Sequence, residues 1–293
     1  MKRVFLLAAV ILAGCSPATD DAAVLLYDQD YAISIVLDNG DGITSPDGLW
    51  WDKGVLYIAD EGGSAVRRWD GHTLETLADA SSGIASPEDL LVDSDGEVWF
   101  TDDTAGGLWR ITPGGAERVA ASQDIAESEG IALRGDGTLW VGDGRTGRIH
   151  AFRPDGSTAK AVIAGWQVDK PESMAVSSDG ALWLADNRKD RLLRIDADGT
   201  MREWQLPDDL SPESIAIDGE TLWITDSHNG RLYRLRKDHE PEIVALFLAD
   251  FININGVAAD NAGIIYVSIQ SDLAAGRGYV VRIVPASGRK VQE

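Results

Sequence analysis

Short apolar segments and glycine-containing turns alternate along most of the chain. A typical unit has residues 215–217 (Ile-Ala-Ile), the turn Asp218-Gly219 and then residues 223–226 (Trp-Ile-Thr-Asp). Alternating apolar and polar positions predict half-buried strands, and Asp-Gly between two such segments predicts a hairpin. No segment has the three- and four-residue apolar spacing of an amphipathic helix. The pattern therefore predicts an all-β protein.

The aromatic segment of this unit recurs six times. Its copies begin at Tyr57, Trp99, Trp140, Trp183, Trp223 and Tyr266. Each copy is followed by a third apolar segment, such as residues 232–235 (Leu-Tyr-Arg-Leu), and then by a ragged fourth one, such as residues 200–205. Internal periods of roughly 40 to 45 residues are typical of propellers. The sequence therefore predicts a six-bladed β-propeller with four-stranded antiparallel blades.

Residues 31–38 precede the first full repeat and resemble the outer segment of a blade. The loop after them, residues 39–46, is similar to later loops that lead into a new blade, such as residues 248–255. We predict that residues 32–38 pair with residues 279–284 of the last blade, which closes the ring and removes two open sheet edges. The predicted propeller domain is residues 31–293.

One polar position recurs at the start of each unit, at intervals of 41 to 43 residues. Its members are Asp47, Glu88, Glu129, Glu172, Glu213 and Asn255. In a closed ring of blades, equivalent positions on the innermost strands converge on the central axis. Two carboxylates 4 Å apart repel by about 4 kcal/mol at an effective dielectric constant near 20. Either some of these groups hold protons at neutral pH or a cation lies among them.

Hard oxygen donors without converging His or Cys favour Ca²⁺, Mg²⁺ or Mn²⁺ over Zn²⁺ at this predicted ring. Two alternatives stay open: a hydrated channel whose carboxylates pair with arginine, and a site for an organic cation. Elsewhere in the repeat, we expect the tryptophans to pack between neighbouring blades. We expect a further set of aspartates to accept backbone N–H bonds from loops. These are Asp60, Asp102, Asp143, Asp186 and Asp226.

Residues 45–284 resemble NHL repeats and the gluconolactonase and regucalcin superfamily. Asp47, Glu129 and Asn255 lie in Pro-Asp-Gly, Glu-Gly and Asn-Gly motifs like those of the superfamily. Glu88, Glu172 and Glu213 are longer and more acidic than its pattern. The resemblance implies that the ring residues hold an axial divalent cation, Ca²⁺ first, which polarises a lactone or ester carbonyl.

Such a hydrolase needs a base and substrate contacts. Asp47 is the predicted base, with His228 on the loop of residues 226–230 as an alternative. Arg145 and Arg188 are predicted to receive an anionic or sugar-acid substrate. Two amide side chains on the same face, Asn187 and Gln270, complete the predicted substrate contacts.

The chain is strongly acidic, with a formal net charge of -22 and a pI near 4.4. Such a charge repels phosphate backbones, so we expect no nucleic-acid partner and a preference for cations. We expect a monomer. The composition, 44% hydrophobic and 25% charged, is that of a globular protein.

The N-terminal segment indicates export. Lys2 and Arg3 precede ten apolar residues, which predicts a signal peptide over residues 1–14. Its end resembles the lipobox of bacterial lipoproteins, so Cys15 is the predicted lipidated residue and anchors the protein to a membrane. Residues 15–30 are the predicted tether. Ser16 after the cysteine favours the outer membrane, facing the periplasm, by resemblance to Gram-negative lipoproteins.

Three functions compete at this point. The first is a metal-dependent lactonase or esterase of gluconolactonase type, acting on a small lactone or ester. The second is a non-enzymatic NHL-like module that binds a peptide, a glycan or an envelope protein on its open face. The third is a lyase that resembles virginiamycin B lyase, suggested by Val98–Asp102. It ranks last because its expected catalytic histidine is not identifiable in the sequence.

Overall fold

A computed structural model of the chain describes most of its residues. These are residues 8–12, 22–120, 125–160, 168–207, 209–248, 253–260, 262–271 and 277–286. They form six antiparallel sheets, one per sequence repeat, and the innermost strands of successive sheets contact one another around the ring. The predicted six-bladed propeller is confirmed. Among the described residues, no helix reaches the length and apolarity needed to cross a membrane.

The first three blades each have four strands, which follow one another in the chain from the inner to the outer edge. Blade 1 has the strands Pro46–Asp52, Val55–Asp60, Ala65–Trp69 and Leu74–Ala78. Blade 2 has the strands Pro87–Val92, Val98–Asp102, Leu108–Thr112 and Gly115–Ala120. Blade 3 has the strands Ser128–Leu133, Leu139–Asp143, Arg148–Phe152 and Thr158–Lys160.

The later blades follow the same order. Blade 4 has the strands Pro171–Val176, Leu182–Asp186, Arg191–Ile195 and Met201–Gln205. Blade 5 has the strands Pro212–Asp218, Thr221–Asp226, Arg231–Arg236 and Glu242–Phe247. Blade 6 has the strands Asn253–Ala259, Ile265–Ser271 and Arg277–Pro285. Short 3-10 helices are described at Glu61–Gly63, Ala80–Ser82 and Asn187–Lys189.

The ring closes with a strand from the other end of the chain. Tyr31–Leu37 pairs antiparallel with Arg277–Pro285, with Leu37 opposite Val280 and Ile33 opposite Ile283. The predicted closure is therefore confirmed. It gives blade 6 its fourth strand and pairs the edge that Arg277–Pro285 would otherwise expose.

Blade 5 has an additional outer strand, which lies within the predicted tether. Ala22–Leu26 pairs with Glu242–Phe247, and the side chains of Val24 and Leu26 are buried there. Their alternating apolar positions supply a hydrophobic contact that a tether would not need. Ala8–Leu12, within the predicted signal peptide, pairs in turn with Ala22–Leu26. Cys15 lies outside the described residues.

Hydrophobic clusters fill the spaces between neighbouring blades. Trp99 of blade 2 is fully buried against Ile131 and Leu139 of blade 3, and Trp223 of blade 5 packs against Val257 of blade 6. Trp140 and Trp183 are half-buried against the corresponding clusters. The tryptophans therefore pack between blades, as predicted.

Candidate functional site

Each inner strand carries a register irregularity at its ring residue. In blade 1, Pro46 pairs with Asp60 and Leu49 pairs with Ile58, so Asp47 and Gly48 lie opposite a single residue. The same irregularity occurs in the other five inner strands. A β-bulge re-aims the side chain of its extra residue. The repeated bulge therefore turns one polar side chain per blade toward the axis.

The aspartates at the ends of the second strands fix the loops that lead to these bulges. Asp60 accepts hydrogen bonds from the backbone N–H groups of Thr44 and Ser45, at 3.1 and 2.9 Å. Asp186 accepts two equivalent bonds from Asp169 and Lys170, at 2.9 and 3.0 Å. Matching bonds are described at Asp102, Asp143 and Asp226. The predicted loop-capping role is confirmed.

Small residues follow several ring positions because the backbone of the next blade is close. A Cβ atom on Gly256 would lie 2.2 Å from the carbonyl oxygen of Asp47, and one on Gly48 would lie 2.4 Å from that of Glu88. Real Cβ atoms do not approach other atoms so closely. Glycine after the ring residue therefore permits the narrow axis at these two blade interfaces.

The carboxyl groups of blades 1 and 2 are electrostatically coupled. Burial raises the pKa of Asp47 well above its usual range, and the charges of Glu213 and Glu61 raise it further. Burial likewise raises the pKa of Glu88, with Asp47 as the next cause. Coupling of this kind requires the side chains to be close together. The structure therefore brings these ring residues together, as the repeat predicts.

Lys170, which is not among the predicted site residues, lies beside the ring. Lys170 Nζ is 2.8 Å from Glu172 Oε2 and 3.4 Å from Glu129 Oε1. Burial raises the pKa of Glu129 to about 8, although the Lys170 ammonium lowers it. Burial and the charge of Glu213 hold the pKa of Glu172 well above its usual range, again against the ammonium. One cation does not neutralise this side of the ring.

Polar side chains at the ends of the second strands, or just after them, bind carboxylates at the site. Asn187 Nδ2 and Ser227 Oγ donate to Glu213 Oε2, at 3.1 and 2.7 Å. Gln270 Nε2 donates to Glu61 Oε2 at 3.0 Å. Asn187 and Gln270 are thus brought to the site as predicted. Asn187 binds the ring carboxylate of Glu213, whereas Gln270 binds Glu61, which lies outside the ring. Their contact with a substrate stays a prediction.

The predicted arginines lie on the rim near Gly144. Arg188 Nη1 donates to the Gly144 carbonyl at 2.9 Å, and the Arg145 side chain, 69% exposed, is 3.9 Å from Glu127. His228 is exposed. Within the described part of the chain, no hydrogen bond or ion pair joins His228 to the ring. Its neighbour Ser227 makes that contact instead.

A small cavity of about 20 Å³ lies at the axis, enough for a water molecule or a single ion. Its lining residues are Asp47, Gly48, Glu88, Asp89, Glu172, Ser173, Glu213 and Ser214. The oxygen donors suit a hard divalent cation in type. Among the described residues, however, no three His, Cys, Asp or Glu side chains converge to metal-binding distances.

A family model describes most of this propeller. The virginiamycin B lyase family matches residues 42–264, which include all six ring positions. The chain belongs to the virginiamycin B lyase family. The match identifies the family and leaves the reaction of this chain open among the candidate functions. A repeat period cannot rank families that share a propeller, because it reports the fold and not the reaction.

Solved structures of this family and of related propellers share the fold. Virginiamycin B lyase from Staphylococcus aureus is 18% identical, with a TM-score of 0.64 over 87% of this chain and 99% of that one. A putative gluconolactonase is 15% identical, with a TM-score of 0.66 over 88% and 93%. Regucalcin from Agrobacterium tumefaciens, described as a calcium-binding protein, is 16% identical, with a TM-score of 0.61 over 83% and 92%. No curated protein matches the sequence.

Proposed function

We propose that this member of the virginiamycin B lyase family is an enzyme that cleaves an ester or lactone bond at the axis of the propeller. The ring of closely spaced carboxyl groups, half-buried except for the fully buried Glu129, carries this assignment. Buried, mutually repelling carboxyls are costly for a scaffold and typical of acid–base sites. A surface used only for binding would not need the pKa values of Asp47, Glu88 and Glu172 to be raised together.

Proton transfer is the part of the chemistry that the chain's own residues perform. Asp47 is the proposed base: it accepts a proton from water in hydrolysis or from the substrate in an elimination. Burial raises the pKa of Asp47, and an adjacent positive charge would lower it. The hydrogen bond from Asn255 Nδ2 to Asp47 Oδ2, at 3.3 Å, orients the carboxyl group.

The cation we propose is Ca²⁺ or another hard divalent ion. Asp47, Glu88, Glu213 and Asn255 would hold it, since Lys170 already pairs with the other two ring glutamates. Their side chains would have to move closer together than they are in this structure. When bound, such an ion supplies Lewis acidity toward a carbonyl oxygen. Asn187 and Ser227 keep Glu213 oriented toward this half of the ring.

The substrate side of the site has a basic sector. Arg188 donates to the carbonyl of Gly144, the residue before Arg145 in the chain. Arg188 lies 3.7 Å from Asp169 and Arg145 lies 3.9 Å from Glu127, in a chain with a net charge of -22. An anionic group of the substrate is therefore best received there, with the scissile bond over the ring. His228 lies on the same face and is the alternative base.

Family membership favours elimination as a second candidate reaction. The two reactions differ in mass balance: hydrolysis adds one water to the product, whereas an elimination breaks the carbon–oxygen bond, moves one proton to a base and adds nothing. The proposed base serves both reactions. Mass spectrometry of the product therefore separates the two.

The test is an activity assay on three substrate types, with the purified protein in Ca²⁺: simple lactones, aryl esters and streptogramin B. We expect turnover of at least one type, loss of at least a hundredfold in Asp47→Asn, and no loss in Asp52→Asn, whose carboxylate pairs with Lys53 at the far end of the same strand. Turnover that survives Asp47→Asn would contradict the assignment of the base. No turnover by the wild-type protein, with a protein or glycan bound on the same face, would favour the binding module.

We also propose that the protein acts in the cell envelope, anchored through lipid on Cys15 and facing the periplasm. Metabolic labelling with a fatty-acid analogue tests this. Label in the wild-type protein and none in Cys15→Ser is the expected result. Equal label in both would contradict the anchor.

A further inference from the structure

Lys170 lies between two ring glutamates, and contacts of both its side chain and its backbone hold it there. Its ammonium contacts Glu172 and Glu129, and the three side chains are 22%, 10% and 4% exposed. Its backbone N–H donates to Asp186, and its carbonyl accepts from the N–H groups of Glu172 and Asn187. The loop therefore presents the ammonium to the ring from a fixed position.

The repeat shows that this lysine is specific to blade 4. The positions two residues before the six ring residues are Ser45, Ser86, Glu127, Lys170, Ser211 and Asn253. Only one of them is basic. Where serine occupies the position, it can donate to the preceding blade: Ser86 Oγ donates to Glu61 at 3.0 Å, and Ser211 Oγ donates to the carbonyl of Asn187 at 3.2 Å. Blade 4 thus adds a positive charge at a place where other blades have a short polar group.

The neighbouring loop leaves room for the contact. A Cβ atom on Gly144 would lie 2.4 Å from Glu129 Oε1, so the Glu129 carboxylate occupies the space that a side chain there would fill. The equivalent positions in other blades carry side chains, including Glu61, Asn187 and Ser227. Gly144 therefore allows Glu129 to lie where Lys170 reaches it.

We propose that Lys170 is a tethered cation that occupies the Glu129–Glu172 side of the axis and prevents a divalent ion from binding there. An ammonium and a divalent ion compete for the same carboxylates and repel each other. Lys170 then offsets part of the negative charge of Glu129 and Glu172, and the remaining part of the ring is formed by Asp47, Glu88, Glu213 and Asn255. The expectation that an ion binds to this remaining part of the ring rests on the function proposed above.

The test counts bound ions with and without the lysine. Terbium luminescence and Ca²⁺ competition are measured on the mature chain for the wild type, Lys170→Gln, Lys170→Arg and the control Lys53→Gln. The Lys53 side chain is 74% exposed and pairs with Asp52, so the control removes the same charge away from the axis. We expect one additional ion per chain in Lys170→Gln, and wild-type stoichiometry in Lys170→Arg and Lys53→Gln.

The outcomes separate this inference from the proposed function. No additional ion in a folded Lys170→Gln protein overturns the inference. No ion in the wild type and one in Lys170→Gln supports the inference and contradicts the metal part of the proposed function. If Lys170→Gln is poorly folded, Ca²⁺ should raise its melting temperature more than that of the wild type. An equal or smaller rise overturns the inference.

Discussion

The amide of Asn255 donates a hydrogen bond to the carboxylate of Asp47 at 3.3 Å, across the junction between the last blade and the first. The two residues are 208 positions apart in the chain and occupy equivalent places in their repeats. Asn255 is the only uncharged member of the ring. The contact therefore links blade 6 to blade 1 at the axis. Because Asn255 is an amide, the ring has five carboxylates instead of six.

Asn255→Asp should destabilise the protein at pH 8 in chelator, because it adds a negative charge beside Asp47, whose pKa is already raised. At pH 5 the added charge can be neutralised by a proton, and the melting temperature should be nearly that of the wild type. Melting curves at the two pH values, with and without Ca²⁺, provide the measurement. Equal melting temperatures at pH 8 in chelator would contradict a coupled ring.

Stability of the wild-type protein in chelator should fall as pH rises from 5 to about 8.5. Burial raises the pKa of Glu129 to about 8 and that of Asp89 to about 7. The folded state then binds more protons than the unfolded state, so the stabilisation is complete below the unfolded pKa values and is lost as pH passes 7 and 8. Each group contributes a slope of about 1.4 kcal/mol per pH unit at most.

Urea denaturation across this pH range checks the slope, and the variants Glu129→Gln and Asp89→Asn should each reduce it. Asp89→Asn keeps one oxygen, which can accept the bond from either Leu90 or Ile131 but not both, so this variant also loses some stability that does not depend on pH. A stability that rises or stays constant between pH 5 and 8.5 would show that these groups are ionised at little cost.

Gly256→Ala should destabilise the propeller by about 3 kcal/mol, because its Cβ would lie 2.2 Å from the Asp47 carbonyl oxygen and must push two blades apart. Gly135→Ala is the matched control, since a Cβ there meets no atom within 4 Å. It should change stability by less than about 0.5 kcal/mol. Denaturant midpoints measure both. A tolerated Gly256→Ala would mean that the axis is wider than described.

Removal of the closing strand should open the ring. A chain that begins at Gly42 lacks Tyr31–Leu37 and leaves Arg277–Pro285 without its partner, so we expect a lower melting temperature and lost amide protection in blade 6. A chain that begins at Gln29 loses Ala22–Leu26 but keeps the closure, and should lose less. Full stability in the chain that begins at Gly42 would contradict the closure.

The periodic features of this protein can be predicted from sequence, and the exceptions to the period cannot. Interval and motif are enough for the blades, the closure by Tyr31–Leu37 and the convergence of the ring, because each repeats or follows from symmetry. Lys170 breaks the repeat at a single position, and only the direction of its side chain makes it part of the site. The sequence does mark this exception, because three other blades have serine where blade 4 has Lys170, at Ser45, Ser86 and Ser211.

Two other features of the protein lie outside what the repeat period predicts, each for a physical reason. Ala22–Leu26 lies outside the repeats, which favours a tether, although Val24 and Leu26 alternate as they do in a strand. The repeat period does not separate lactonases from lyases, because both share this propeller and their chemistry depends on a few side chains that no period reveals.

Calorimetric titration of the metal-free protein with Ca²⁺ at pH 7.5 tests most directly whether the axial carboxylates form one cation-dependent site. We predict about one ion per chain, at least tenfold weaker binding in Glu88→Gln and Glu213→Gln, and unchanged binding in the distant Asp198→Asn. No heat of binding by the wild-type protein, together with an unchanged melting temperature in Ca²⁺, would contradict the site.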